Sequence, residues 1–406
     1  MLKSIVTSLC LCAVFVMLPS LGAKETAADK REPIPKEPGE MKITQGNDYS
    51  MFSTFGTSPE NFSRTRIAYT RFPKAPKKRA KIFAAEIWLC DIDGTNHKQL
   101  TDVTNIDSHN GARVDWIDDD TIVYLDNFQA KVRNTDGTLR FVKKGYPGEQ
   151  VFGDKLLVFQ PDRKSDSEGI WILNVRSGEY TQLVSYGDLK AFEKLFGGFK
   201  TWRITHPRFC PKGKKVAFVV EARKGGFLMT INSDGSGLDA SFGRKPSHWL
   251  WYDSSSIVGL DAHVDDGKPN NFTTRRWDLK GSWIEDVAGG GKGGHLGIWR
   301  EGGLFSAEKW HKNQVTLRWY KKGDLKGNKI FTSPHANATY HQGKTHVNPS
   351  FARDGSRVYY AKPTGSNLVQ GYCYTIKKIG KDKSSQKPPR KTQGFVEAFG
   401  ANDEEE

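Results

Sequence analysis

Ten histidines occur in the 406-residue chain, and five of them share a setting. His109, His206, His248, His295 and His346 each follow a small residue, in Ser108-His, Thr205-His, Ser247-His, Gly294-His and Thr345-His, just ahead of a chain stretch that reads as a strand. Imidazole changes charge near neutral pH and is a common nitrogen ligand for transition metals, so a converging set could bind an ion or move a proton. Any one of them can equally hydrogen-bond a neighbouring turn and do nothing more. The densest cluster runs Tyr340-His341-Gln342-Gly343-Lys344-Thr345-His346-Val347-Asn348-Pro349. Along an extended strand, His346 and Asn348 fall on one face. With His295, and with Gln342 or His341 from the loop, they form a set of nitrogen and oxygen donors. Such a set suits Mn²⁺, Fe²⁺, Ni²⁺ or Zn²⁺ and lacks the thiolates of a structural zinc site.

Convergence needs a repeating scaffold, and the sequence carries one. The unit is a turn and a hydrophobic strand, a polar turn, a second and a third strand, then an Asp-Gly or Ser-Gly turn before a fourth. One copy runs His206-Pro-Arg-Phe-Cys-Pro-Lys-Gly-Lys-Lys-Val-Ala-Phe-Val-Val, then Phe227-Leu-Met-Thr-Ile-Asn-Ser-Asp-Gly-Ser. Another runs His346-Val-Asn-Pro-Ser-Phe-Ala-Arg-Asp-Gly-Ser-Arg-Val-Tyr-Tyr, then Gly371-Tyr-Cys-Tyr-Thr-Ile. Units begin near residues 64, 109, 149, 205, 247, 294 and 345, roughly 40 to 55 residues apart, which is what a four-stranded blade needs. A lone sheet cannot bury both faces, so the blades must stack radially. The expectation is an all-β, seven-bladed β-propeller of four-stranded blades over residues 48–380, with Tyr49-Ser-Met-Phe-Ser-Thr-Phe completing the last blade. The first strand of each blade then lines the channel, and the five histidines gather at one mouth. A β-sandwich or β-helix competes, and the repeat period favours the propeller.

The flanks differ in kind. Residues 1–23 carry Lys3, an apolar run from Ile5 to Leu18, and small residues at Gly22-Ala23 before a polar stretch, the pattern of a cleavable signal peptide. Residues 24–47 are charged and proline-rich and read as a disordered linker; 381–406 read as a charged disordered tail, basic first and acidic last. The protein is therefore expected to be exported, to the periplasm or the extracellular space, with no transmembrane segment in the mature chain, and to be a monomer. Cys10 and Cys12 fall within the leader, leaving Cys90, Cys210 and Cys373, an odd, widely spaced set that reads as buried thiols rather than a disulfide framework. The net charge of +15 favours polyanions. Outside the cytoplasm acidic polysaccharide is a more natural partner than nucleic acid.

The segments Thr205-His-Pro-Arg-Phe-Cys-Pro, Ser247-His-Trp-Leu-Trp-Tyr, Gly294-His-Leu and Thr345-His-Val-Asn-Pro-Ser-Phe-Ala-Arg-Asp-Gly resemble the oligogalacturonate lyase family of propellers, which in turn resemble TolB-type (WD40-like) propellers. The resemblance covers roughly residues 200 to 375. It implies a metal-dependent β-elimination on short uronate oligomers, with His248 as base and His295 and His346 holding a Mn²⁺-like ion. Two departures accompany it. The family's second metal histidine in the last blade is Asn348 here, and its glutamine falls nearest Gly343, with Gln342 one position off. The arginine beside the family's base aligns with Phe227, with Arg223 close by. The alternative is a non-catalytic TolB-like propeller that binds a protein partner or a glycan. A hydrolase with paired carboxylates finds no acidic pair at equivalent blade positions.

Overall fold

A computed structural model describes residues 38–376, apart from 77–82, 107–108, 163, 199–201, 262–272, 290–293, 300–302, 312, 336–345 and 366–367. Seven antiparallel sheets follow one another along the chain and form the blades of a propeller. Blade 1 holds Tyr49–Met51, Arg66–Phe72, Phe83–Asp91 and Lys98–Ile106, innermost first, and blade 2 runs from Asp115–Trp116 out to Leu139–Lys144. Blade 3 runs from Tyr146–Phe152 to Tyr180–Ser185, blade 5 from Ser247–Asp253 to Trp283–Ala288, and blade 6 from Leu296–Trp299 to Asn328–Pro334. Blade 4 has three strands, Arg203–Phe209, Lys215–Ala222 and Gly225–Asn232; its fourth position is held only by the bridges Thr230↔Asp239 and Phe227↔Arg244.

Blade 7 contains Ser350–Phe351, Arg357–Pro363 and Val369–Thr375, and its outer strand comes from the other end of the chain. Gly39–Lys42 pairs antiparallel with Val369–Thr375, from Gly39↔Thr375 to Lys42↔Tyr372, and closes the ring. The closing strand is thus not the Tyr49 segment. Tyr49–Met51 is wholly buried, as an innermost strand must be, whereas Gly39–Lys42 is only partly covered. An outer edge strand can be polar, so composition alone made this stretch look like spacer. The unit start near residue 64 marks the second strand of blade 1 for the same reason.

The blades adhere through apolar seams. Trp88, Cys90, Tyr359 and Cys373 pack together between blades 1 and 7, and Cys210, Val219, Trp249 and Trp251 between blades 4 and 5. All three cysteines among the described residues are buried and free, small hydrophobes within these seams. The repeating Asp-Gly turns have a local cause. Asp93, Asp136 and Asp234 each accept a hydrogen bond from the backbone N–H two residues on, at 2.8–3.0 Å, which fixes the hairpin into the fourth-strand position. Among the described residues, no helix is long and apolar enough to cross a membrane.

The channel is not an empty tube. After Tyr49–Met51, residues 52–58 leave blade 1 and cross the axis before Glu60 rejoins the sheet opposite Ile67. Phe55 stacks on His295 of the blade 6 entry, with centroids 4.6 Å apart, and lies under the Arg208 guanidinium of blade 4. Gly56 N–H donates to the Pro349 carbonyl ahead of blade 7 at 3.3 Å, and the Thr57 hydroxyl donates to the Glu149 carbonyl of blade 3 at 2.6 Å. Gly56 has φ +78°, and a Cβ there would stand 2.8 Å from the Leu250 side chain of blade 5, so any larger residue would be strained and would displace that leucine.

Candidate functional site

The inner strands carry a repeated irregularity. Thr205 pairs with Val219 and Ser247 with Leu260, after which the register slips in both blades. At the matching place in blades 2 and 7, the carbonyls of Ala112 and Val347 accept from Leu125 and Ala361, at 2.7 and 2.8 Å. The next residue in each case is Arg113, His206, His248 or Asn348, and all four adopt a left-handed backbone, with φ between 47° and 54°. Such a conformation costs on the order of 1–2 kcal/mol for a residue with a Cβ. Strain repeated around one ring of positions is a mark of a functional site. The bulge re-aims each of these side chains relative to the alternation of its strand.

The five histidines are therefore not strictly equivalent. His206 and His248 share a position whose counterparts are Arg113 and Asn348. His109 and His346 stand earlier in their blades, and His295 opens blade 6, whose innermost strand pairs without a bulge. They nonetheless converge.

His109, His295 and His346 present ligand nitrogens that lie within 4.8 Å of one another. The Nδ1 atoms of His295 and His346 are 3.2 Å apart. Glu308 Oε1 lies 3.1 Å from the first and 3.8 Å from the second. Adjacent ligands on one ion stand about 3 Å apart when metal–ligand bonds are near 2.1 Å, so these atoms have suitable spacing for a divalent cation. Asn348 adds a further fit: its Oδ1 is buried without a hydrogen-bond partner, while its Nδ2 donates to the His109 carbonyl at 2.9 Å. At the position where the resemblance implied a second metal histidine in the last blade, Asn348 places an amide that holds the loop carrying His109. The set is nitrogen-rich with hard oxygens and no thiolate, a donor set that fits a divalent transition-metal ion.

His248 adjoins this group, its ring 4.5 Å from that of His295. Burial, then the neighbouring His295 and Lys245, push its pKa well below the usual imidazole value, so the ring is neutral at pH 7. Beyond it the ring of polar groups continues. His206 Nδ1 bonds Glu149 Oε1, and Arg208 grips Glu149 Oε2 with Nε at 2.6 Å and with a second guanidinium nitrogen. Burial alone would raise the Glu149 carboxyl; Arg208, then His206 and Arg113, outweigh it and hold the group far below the usual carboxylate range.

Other expected residues fall elsewhere. Arg223 is exposed in the hairpin turn between the second and third strands of blade 4, and Phe227 is packed into the core against Phe196. His341 and Gln342 lie outside the described residues, as does Gly343.

Sequence reading grouped His109 only with the channel mouth and passed over Glu308, Glu149, Arg113 and Phe55. Glu308 is fully buried mid-strand in blade 6, where a lone acid between Ala307 and Lys309 carries no motif. One signal was present: Gly294, whose Cβ would stand 1.9 Å from the Glu308 carbonyl oxygen, marks the close approach that brings His295 onto this strand.

Two oligogalacturonate lyases of known structure match nearly the whole chain. One, in complex with manganese, aligns with a TM-score of 0.60 and 15% identity over 86% of this chain and 96% of that chain. Another, from Vibrio parahaemolyticus, gives a TM-score of 0.61 and 12% identity over 87% of this chain and 98% of that chain. The chain shares their fold. At such identities the likeness is one of architecture, and activity does not travel with it. TolB from Acinetobacter baumannii matches at a TM-score of 0.41 and 12% identity, over 74% of this chain and 78% of that chain, too loosely to bear on function. No family model and no curated protein matches the sequence.

Proposed function

We propose that this propeller is an exported, metal-dependent lyase that cleaves acidic (uronate) oligosaccharides by β-elimination. The observation that carries the reading is the grouping of His109, His295 and His346 around one point, with a neutral His248 beside them. The fold shared with oligogalacturonate lyases supports it. The leader-like residues 1–23 support export.

Three histidines and Glu308 would hold a Mn²⁺-like ion, and the unpaired Asn348 Oδ1 is a candidate for a further oxygen donor. When bound, such an ion supplies positive charge that stabilises the electron density building on a substrate carboxylate. His248 takes the proton from the carbon α to that carboxylate, as a neutral imidazole can. The electron pair left by that proton forms a C=C bond conjugated with the carboxylate, the bond to the neighbouring sugar oxygen breaks, and that oxygen takes a proton from water to leave as a hydroxyl. His206 is held by Glu149 and serves to shape the wall rather than to take the proton. Arg223, exposed in the hairpin turn of blade 4, is assigned no step in this reading.

Purified protein with Mn²⁺ is incubated with di- and trigalacturonate, and ultraviolet absorbance of the unsaturated product is followed. We expect product that disappears with chelator and falls at least about 100-fold in His248→Ala. Absence of product across a panel of uronate oligomers, with oligosaccharide binding that survives both chelator and His248→Ala, would establish a non-catalytic glycan-binding propeller instead.

A further inference from the structure

We propose that Arg113 is the receptor for a ligand carboxylate at the wall of the channel. The inference rests on the channel being the ligand site, as in the reading above, but not on catalysis there.

Arg113 occupies in blade 2 the left-handed position that His206, His248 and Asn348 occupy in blades 4, 5 and 7. The backbone therefore gives it the same bulged setting, at the same level of the ring. It belongs to the turn that carries His109, closed by the bond from Arg113 N–H to the Asn110 carbonyl at 3.3 Å. Its side chain is 12% exposed, and among the described residues its buried Nε and Nη1 make no hydrogen bond.

The acid nearest to it is already engaged. Glu149 Oε1 accepts from His206, Oε2 accepts twice from Arg208, and its backbone carbonyl accepts from Thr57. Arg113 Nη1 reaches Oε1 only at 3.7 Å, an attraction without a hydrogen bond. The carboxylate is bonded to blade 4, and the guanidinium of blade 2, with Tyr146 6.0 Å below it, keeps Nε and Nη1 without a hydrogen bond.

A buried guanidinium cannot lose its proton and is costly to leave without acceptors. Its planar fork matches a carboxylate, with two parallel N–H···O bonds. An acidic sugar brings that group; a neutral sugar of the same shape does not. The arginine is therefore the element of the channel that selects the charged ligand over its neutral counterpart.

The test is titration calorimetry with digalacturonate and with its neutral analogue galactobiose, in chelator so that no ion contributes. The wild-type protein is expected to bind the acid at least about 10-fold more tightly than the neutral sugar, a preference that Arg113→Gln abolishes. Arg113→Lys, which keeps the charge but not the fork, should retain part of it. Equal binding of the two sugars by the wild type, or no binding of either, overturns the proposal. So does an Arg113→Gln protein that keeps its preference. If that variant does not fold, Arg113→Lys decides: a reduced preference supports the assignment and an unchanged one refutes it. A protein that forms no unsaturated product yet shows the arginine-dependent preference fails as a lyase while this site stands. Product formation with a preference indifferent to Arg113 is the converse.

Discussion

Glu308 ties two blades together at the point where the histidines meet. One oxygen accepts the His295 backbone N–H at 2.9 Å and faces both imidazole Nδ1 atoms; the other accepts the Val347 N–H. Removing its charge while keeping its shape should weaken Mn²⁺ binding by about 10- to 100-fold in Glu308→Gln, measured by calorimetry on the apoprotein. An affinity unchanged by that substitution would separate the carboxylate from the ion. Asp115, buried two residues past Arg113 in blade 2, offers a pH test. Burial raises its pKa to about 6, against the opposing pull of Arg353 and bonds from the Val151 and Trp116 N–H groups. The folded state then holds this proton more tightly than the unfolded state, whose carboxyl titrates near 4. Its contribution is most favourable below the unfolded value and is lost as pH rises from about 4 through about 6, by up to about 3 kcal/mol. Urea unfolding of wild type and Asp115→Asn across this window should diverge by that amount, and parallel curves would contradict the shift. At this scale the histidines were legible because they recur at blade starts. Glu308 and Arg113 were not, because their importance lies in which neighbours are absent or already taken.

The inner strands show how a short sequence signal becomes an element with a purpose. Thr205-His-Pro and Ser247-His-Trp announce a strand start, and the strand is there; the register slip inside it is what sequence hid. A bulge in one strand is a property of pairing with another, and period-2 alternation gives no warning of it. This is why residues that look equivalent along the chain, His346 and His206, stand at different positions in space, while unlike residues, Arg113 and Asn348, are true counterparts of His248. The Asp-Gly turns were readable for the opposite reason, since Asp93 and Asp234 make their bonds within the turn itself. The crossing by residues 52–58 had no such signature. Phe55 and Gly56 owe their placement to contacts with blades 4 to 7, far away in sequence.

As a whole, the molecule is a ring held shut by a single strand from its beginning. Seven blades could be counted from spacing, because each unit must supply one sheet, but the strand that completes the seventh lies outside any repeat. A chain shortened to begin at Ile43 loses the pairing from Gly39↔Thr375 to Lys42↔Tyr372 and bares the edge of Val369–Thr375. We expect it to melt at least several degrees lower and to associate at high concentration, read by thermal unfolding and light scattering; an unchanged midpoint would mean that blade 7 is self-sufficient. The crossing segment has a different consequence for the ring. With Phe55, Gly56 and Thr57 bridging blades 3 to 7, the channel is closed beside the histidines and is not a through passage. On the function proposed above, a long sugar chain would then have no way through, and a ligand would enter and leave on the same side, as a short chain or the tip of a longer one.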